Sequence, residues 1–198
     1  MGKIKYIDKI RKFFKESPIV SIASLKKFIR KKDNSYIYLI INNLLKKGEI
    51  KRITKGYYTI YEDPSLVVFC FKPAYLGLQD ALSAHNLWEQ ETNPVMITSR
   101  KVRRGVRKVF SQNIVLKNID SKYFFGFNYE KQGDFYLPYS DIEKTFIDMI
   151  YFKQYLDKET KEEFIKRIDK KKLNSYLKVY PNRFRKRVLN LLNFPLIT

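Results

Sequence analysis

The stretch that decides the fold of the N-terminal region is NSYIYLIINNLLKKGEIKRITKGYYTI, residues 34–60. Its first half repeats apolar side chains at intervals of three and one, which predicts a helix with one buried face that ends at Gly48. Lys55 and Gly56 then predict the turn of a two-stranded hairpin. The apolar positions of the helix are Ile37, Ile40, Ile41, Leu44 and Leu45.

Two more helices are predicted upstream of this stretch. The first covers about residues 4–15, with its apolar side chains on one face, and ends before Pro18. Ser21 or Ser24 caps a short second helix that carries Leu25, Phe28 and Ile29. Three helices followed by a hairpin are typical of a winged helix-turn-helix, in which the third helix is the recognition helix and the hairpin is the wing.

Net charge is +20, and the two ends of the sequence carry it. Residues 1–60 hold 16 Lys/Arg against 4 Asp/Glu, and residues 151–198 hold 13 against 5, whereas residues 61–150 hold 11 of each. Each phosphate that a cation neutralises releases counterions, so such basic regions favour a polyanionic partner. The charge distribution therefore predicts that the protein binds nucleic acid.

Composition argues against several other classes of protein. No run of about 18 apolar residues occurs and charges interrupt the N-terminus, which predicts a cytoplasmic protein without a membrane partner. Cys70, the single cysteine, lies in the apolar run LVVFCF and is predicted to be a core residue. Because His85 is the single histidine, one chain cannot form a His-based triad or a His-rich metal site. We expect no metal and no cofactor.

The predicted fold class is α+β, in three parts. Residues 1–62 are the winged helix-turn-helix, residues 63–152 a small mixed α+β domain, and residues 153–198 a segment of basic helices. In the last two parts, the apolar patterns predict a buried strand over LVVFCF (66–71) and a helix over YLGLQDALSAHNLW (75–88). They predict further strands over 95–98, IVLKNI (114–119), KYFFGFNYE (122–130) and FYLPY (135–139). A helix is predicted from near Ser140 or Asp141, and more helices after Lys158.

The exposed face of the third helix is the predicted contact with DNA. A winged helix lays this face in the major groove while the wing reaches a neighbouring phosphate or the minor groove. Asn pairs bidentately with adenine, and Ser can contact several bases. The predicted base contacts are Ser35, Tyr36, Tyr38 and Asn42. The predicted phosphate contacts are Lys46, Lys51, Arg52 and Lys55.

Two further segments are strongly basic. RKVRRGVRK, residues 100–108, is a second phosphate contact, a hairpin arm on Gly105 or a solvent-exposed loop. Its predicted phosphate contacts are Arg103, Arg104 and Arg107. PNRFRKRVLNLL, residues 181–192, contains cations that could bind an acidic protein surface as well as DNA. The predicted partner-binding residues in it are Arg183, Arg185, Lys186 and Arg187.

Asp141, Glu143 and Asp148 are the carboxylates available to a metal-dependent nuclease. Glu143 and Asp148 are five residues apart and would not share a helical face. The sequence also contains no Gly-rich phosphate loop. We therefore expect no catalytic residues and no enzymatic activity, and a nuclease is the least favoured hypothesis.

Three segments together resemble the AbiEi-type antitoxins of type IV toxin-antitoxin systems. LLKKGEIKRITKGYYTI (44–60) is similar to the winged-helix part of that family, and DALSAHNLWEQ (80–90) to its Ser/Asp-Ala-Leu and His-Gly-Leu signature. SDIEKTFIDMI (140–150) is similar to its Glu-Lys helix, with an Asp four residues after the Lys. Asn86 stands where the family usually has Gly, and Asn is the second-best residue for a left-handed helix end.

The resemblance covers about residues 5–150 and implies a DNA-binding repressor that often regulates its own operon and opposes a nucleotidyltransferase toxin. The leading hypothesis is thus a sequence-specific transcriptional regulator that binds double-stranded DNA. The main alternative is a protein-interaction antitoxin that neutralises such a toxin through its basic C-terminal helices and binds little DNA. The operator, any effector and the oligomeric state stay open.

Overall fold

The described part of the chain divides into two units. The structure is a computed structural model that describes residues 6–29, 34–90 and 92–192. The first unit extends to Cys70 and includes Lys108–Gln112, and the second contains Phe71–Arg107 and the chain from Asn113 onward. Helices and two sheets are present, so the predicted mixed α+β class is confirmed.

The first unit contains both helices and short strands. Its described elements are α1 (Ile7–Glu16), β1 (Val20–Ser21), α2 (Ile22–Ile29), α3 (Asn34–Lys46), β2 (Lys51–Thr54) and β3 (Tyr57–Thr59). The strands form an antiparallel sheet in the order β1-β3-β2. Tyr58 of β3 lies between Val20 of β1 and Arg52 of β2. The hairpin turns at Lys55 and Gly56, as predicted.

Local hydrogen bonds fix the ends of the helices in this unit. At the start of α2, the amide of Ser24 donates to Oγ of Ser21 at 3.0 Å, and the amide of Ser21 donates to Oγ of Ser24 at 2.9 Å. This reciprocal pair satisfies amides that the helix itself leaves without partners. After the C-terminal end of α3, Gly48 has a φ of +68°, which confirms the predicted left-handed helix end.

The core of the first unit is the predicted apolar stripe. Ile37, Ile40, Ile41 and Leu44 of α3 are each 1% exposed, and they pack with side chains of the other helices and the sheet. Leu45 is partly buried at the edge of this cluster. The rest of the buried cluster is Ile10, Phe14, Val20, Leu25, Ile29, Ile50 and Tyr58.

The prediction of a strand over LVVFCF is wrong, because Pro64–Cys70 form a 3₁₀ helix. Asp63 accepts a hydrogen bond from the amide of Ser65 at 2.8 Å, which starts a tight turn at this point. A short apolar run fits a buried strand and a buried helical turn equally well. Cys70 is buried as predicted, and burial raises the pKa of its thiol to about 12.

A six-stranded sheet in the order β6-β7-β5-β4-β9-β8 lies in the second unit, except that the end of β6 and the first residue of β7 fall in Lys108–Gln112 of the first unit. Its described strands are β4 (Ala74–Leu76), β5 (Val95–Thr98), β6 (Gly105–Val109), β7 (Gln112–Asn118), β8 (Phe127–Gln132) and β9 (Phe135–Ser140). The central pair β4 and β5 is antiparallel, whereas β4 with β9 and β5 with β7 are parallel. The described helices are α4 (Gln79–Ala84), α5 (Ile142–Tyr151), α6 (Lys158–Arg167), α7 (Lys170–Leu177) and α8 (Asn182–Leu191), with a 3₁₀ turn at Ser121–Tyr123.

Aspartates start three successive helices of the second unit. Asp141 accepts a hydrogen bond from the amide of Lys144 at 2.8 Å, which confirms the predicted start of α5. Asp157 and Asp169 cap α6 and α7 in the same way. A carboxylate at this position satisfies free amides and complements the helix dipole.

Two predicted boundaries in this unit are wrong. The helix predicted over YLGLQDALSAHNLW begins at Gln79, because Ala74–Leu76 form strand β4. The strand predicted over KYFFGFNYE begins at Phe127, after a 3₁₀ turn and Gly126 at a φ of +71°. In both cases the backbone conformation changes near a glycine. This change divides an apolar run whose periodicity alone predicts a single element.

Candidate nucleic-acid interface

The exposed face of α3 carries polar side chains in one row. Ser35, Tyr38, Asn42 and Lys46 are exposed and follow one another at intervals of three or four residues. Residues with this spacing lie on the same side of a helix, here opposite the buried stripe. The packing of the apolar side of α3 therefore fixes the orientation of the polar side.

Tyr36 and Leu39 differ from the sequence-based picture of this face. Tyr36, a predicted base contact, is partly buried and packs against the core of the first unit. Leu39 is 52% exposed, beside Tyr38 at 47%, and was not among the predicted contacts. Because Leu39 falls outside the apolar stripe, its position in the helical repeat was the signal that could have identified it.

Cations surround the tip of the hairpin. Arg52 is exposed in β2, and Lys55 is exposed in the β2–β3 turn. Lys51 is half-buried and forms an ion pair with Glu62. Of the predicted phosphate contacts in this unit, Lys46, Arg52 and Lys55 thus present their charge to solvent, and Lys51 has an acidic neighbour.

An ion pair ties α1 to the loop that follows α3. Nε and Nη2 of Arg11 donate to the two carboxylate oxygens of Glu49 at 2.7 and 2.8 Å. The hydrogen bonds from Arg11 lower the pKa of Glu49 below its ordinary value. This bidentate contact links the end of α3 to α1 and so helps to set the direction in which α3 points.

The predicted arginines of the 100–108 segment lie in the second unit. Arg103 and Arg104 are exposed in the loop before β6. Arg107 is half-buried, donates to the carbonyl oxygen of Arg103 at 2.8 Å, and lies 5.2 Å from the ring centroid of Phe71. Gly105 begins β6.

The predicted partner-binding residues all lie on α8. Arg183, Lys186 and Arg187 are exposed. Arg185 is half-buried, and its guanidinium donates to the side-chain oxygen of Asn182 at 3.3 Å.

The carboxylates considered for a nuclease are engaged by side chains of the same unit. Asp148 is fully buried, forms an ion pair with Lys144, and accepts a hydrogen bond from the hydroxyl of Tyr75 at 2.7 Å. Asp141 and Glu143 both contact Nζ of Lys172, at 3.1 and 2.9 Å. Among the described residues, no group of three or more His, Cys, Asp or Glu side chains is placed to hold a metal ion.

Sequence reasoning missed the buried network around Lys144. Its ammonium lies 5.7 Å from the ring centroid of Tyr75 and 5.4 Å from that of Phe125, with the hydroxyl of Tyr180 at 3.4 Å. Burial lowers the pKa of Lys144 and raises that of Asp148, since desolvation disfavours both charges. The signal was a Lys and an Asp four residues apart in a helix that is otherwise largely apolar.

His85 lies at the C-terminal end of α4. It is the C-cap residue of α4, and its Nε2 lies 2.6 Å from the carbonyl oxygen of Ser140. Asn86, which follows it, has a φ of +53°. Asn86 thus adopts the left-handed conformation expected of a residue at this position.

No protein-family model matches this chain, and no curated protein matches its sequence. Within the described residues, no helix has both the length and the apolar character needed to cross a membrane.

Proposed function

We propose that the first unit is a winged helix-turn-helix and that the protein is a sequence-specific, DNA-binding transcriptional regulator without catalytic activity. The observation that carries the proposal is the exposed polar row of α3, which ends in Lys46 and adjoins in sequence a hairpin with Arg52 and Lys55 at its tip. Basic and amide side chains on one helix face are suited to contact with phosphates and base edges.

Dimensions and topology support this assignment. An α-helix with its side chains is about 10–12 Å wide, and the major groove of B-DNA is about 12 Å wide. The sheet order β1-β3-β2 joins the hairpin to the strand before α2, so the hairpin is tied to the helices. A wing held in this way can contact the backbone beside the groove that α3 occupies.

The roles of individual residues follow from their exposure. Asn42 is the leading candidate for base recognition, with Ser35 and Tyr38 beside it on the same face. Lys46, Arg52 and Lys55 would neutralise phosphates. Tyr36 would support the helix from the core side, and Lys51 would contribute less than its neighbours because Glu62 already pairs with it.

The resemblance to AbiEi-type antitoxins extends the proposal to an autoregulating repressor with a nucleotidyltransferase toxin as its partner. The second unit contains the two other segments of that resemblance, in α4 with the turn after it and in α5. Asn86, at the position of the usual glycine, has the backbone conformation that glycine would supply.

Binding measured by fluorescence anisotropy tests the regulator proposal. We expect the chain to bind a duplex from its own upstream region more tightly than a random duplex of equal length, by about 10³-fold. Asn42→Ala should reduce this preference by about 1–3 kcal/mol, since a bidentate base contact is lost. Arg52→Gln and Lys55→Gln should weaken binding to both duplexes alike, and Lys51→Ala should have a smaller effect.

Asn128→Ala is the matched control, because Asn128 is exposed on β8 of the second unit and should leave both affinities unchanged. Equal affinity of the wild-type protein for the two duplexes would refute the proposal.

Exposed Tyr38 and Leu39 favour a second candidate, in which α3 contacts a protein. Aromatic and apolar side chains are typical of the centres of protein interfaces. This candidate is an antitoxin that neutralises a nucleotidyltransferase toxin with little DNA binding, and it uses α3 where the sequence-based alternative used the basic C-terminal helices. It would be favoured if Leu39→Ala abolished a stoichiometric complex with that toxin while Asn42→Ala left duplex affinity unchanged.

A further inference from the structure

The segment from α7 through α8 carries an unusually one-sided charge. Residues 170–192 contain eight Lys/Arg and no Asp or Glu. Lys172 is half-buried, and its hydrogen bonds to Glu143 and Asp141 outweigh desolvation and raise its pKa. The segment itself offers no acidic side chain to Arg183, Lys186 and Arg187 of α8.

Arg183, Lys186 and Arg187 form a compact group on α8. All three are exposed, and their spacing of three and four residues places them on one side of the helix. They span about 6 Å of helix axis, at 1.5 Å per residue. Among the described residues, none of the ion pairs found in the structure involves these three side chains.

The contrast with α6 shows that this arrangement is not general in the second unit. Lys158 pairs with Glu162 at 3.9 Å and Lys166 with Glu163 at 2.6 Å, so α6 neutralises cations with its own acids. On α8, like charges at intervals of three and four residues repel one another and destabilise the helix. A polyanion that binds this face would remove that repulsion.

The chemistry of the face favours phosphates over an acidic protein. Phe184, the aromatic residue of α8, is turned inward and stacks on Tyr180, with ring centroids 4.9 Å apart. The exposed side of α8 continues with Asn190. Protein interfaces are enriched in Arg and aromatic residues and depleted in Lys, whereas phosphate-binding faces carry Arg, Lys and Asn. The Arg residues suit both partners, so the preference for phosphates comes from Lys186, Asn190 and the inward position of Phe184.

We propose that Arg183, Lys186 and Arg187 of α8 form a second site for the phosphodiester backbone of nucleic acid, independent of base sequence. In the proposed regulator this ligand is duplex DNA, so that identification rests on the proposed function. The site adds sequence-independent affinity and salt dependence, and the base contacts of α3 add sequence preference.

The test compares two triple variants of the full chain on a random duplex of about 30 bp, over a range of salt concentrations. One variant is Arg183→Gln with Lys186→Gln and Arg187→Gln. The matched control is Lys131→Gln with Lys158→Gln and Lys166→Gln, which removes the same charge from exposed positions of the same unit. Far-UV circular dichroism and the fluorescence of Trp88, the single tryptophan, confirm that both variants are folded.

We expect the α8 variant to reduce the slope of log affinity against log salt by about 2.7, or about 0.9 for each phosphate contact. Its affinity at about 100 mM salt should fall by at least about tenfold, and the control should fall far less. An α8 variant with the slope and affinity of the wild type, or a control with an equal loss, would overturn the proposal. So would a variant that loses binding to poly-glutamate but keeps its binding to duplex, since that result identifies an acidic protein surface.

Random duplex carries no operator, so this result does not depend on sequence preference. If the proposed α3 recognition is wrong, the preference for upstream DNA is absent while the α8 effect on the slope persists. If the α8 site is wrong, the α8 variant keeps the wild-type slope of log affinity against log salt, and the preference for upstream DNA can persist.

Discussion

The core of the first unit consists of aliphatic and aromatic side chains, whereas the core of the second encloses Lys144 and Asp148. In the first unit the cations Arg52 and Lys55 lie at the surface, where they can meet a polyanion. In the second, an ammonium and a carboxylate stabilise each other inside an aromatic cluster. Lysine side chains are thus exposed to solvent in the first unit, as at Lys55, and enclosed in the core of the second, as at Lys144.

The energetic consequences of the two arrangements differ. An apolar core contributes in proportion to the area that it removes from water. A buried ion pair gives little net stability by itself, because desolvation offsets the attraction between the charges. Loss of one partner is nevertheless costly, since the other charge stays buried without compensation.

The largest expected effect comes from Lys144→Met, which keeps the volume of the side chain and removes its charge. We expect the free energy of unfolding of the second unit to fall by about 3–5 kcal/mol at neutral pH, measured by urea denaturation with Trp88 fluorescence. This decrease in the free energy of unfolding should become smaller as the pH falls. Burial raises the pKa of Asp148, so protonation favours the folded variant in the acidic range.

The double variant Lys144→Met with Asp148→Leu serves as the control for this prediction. It should recover most of the lost stability, because no charge is then left unpaired in the core. A single variant as stable as the wild type would show that the second unit tolerates an unpaired carboxylate and would remove the difference between the two cores.

A smaller effect is expected from Leu44→Ala in the apolar core of the first unit. Truncation of this side chain, which is 1% exposed, should cost about 3 kcal/mol through lost transfer energy and a residual cavity. The measurement is hydrogen exchange of the α3 amides. Leu45→Ala, on the same helix but partly buried, should accelerate exchange less, and equal effects would contradict the packing described for α3.

The contrast between the units also explains what the sequence could predict. Periodicity identified α3, its buried stripe and the Gly48 end, because the side chains of the first unit are sorted by polarity. In the second unit, Lys144 and Asp148 look like surface residues in the sequence, and their common partner, Tyr75, lies in a strand that was predicted as helix. Contacts between residues so far apart in sequence leave no periodic signal.

Within the candidate interface, the sequence predicted which face of α3 is exposed, but it did not predict the burial and pairing of every side chain. Asn42 and Lys46 are exposed where the helical repeat placed them. The half-buried position of Tyr36 and the pairing of Lys51 with Glu62 depend on neighbours from other segments. Spacing within one helix or strand does not reveal those neighbours.

The smallest expected effect concerns the surface ion pair of Arg11 and Glu49. The folded-state pKa of Glu49 lies below its ordinary value of 4.5, so this contact stabilises the fold above that pH and is lost as the pH falls through the lowered pKa. Glu49→Gln should therefore reduce stability at neutral pH, and its difference from the wild type should close in acid.

Acid titration of the unfolding midpoint, followed by far-UV circular dichroism, checks this expectation. Glu16→Gln is the control, because Glu16 is exposed and lies 3.7 Å from Lys12 without the bidentate geometry. A difference between Glu49→Gln and the wild type that is independent of pH would contradict the assigned role of Glu49.

Selection of bound sequences from a random duplex pool tests whether the first unit recognises duplex DNA through α3. We expect the wild-type protein to enrich a defined motif, and Asn42→Ala to lose the enrichment at about one position while it still retains DNA. Enrichment of no motif by the wild-type protein, or of an unchanged motif by Asn42→Ala together with Ser35→Ala and Tyr38→Ala, would contradict the claim.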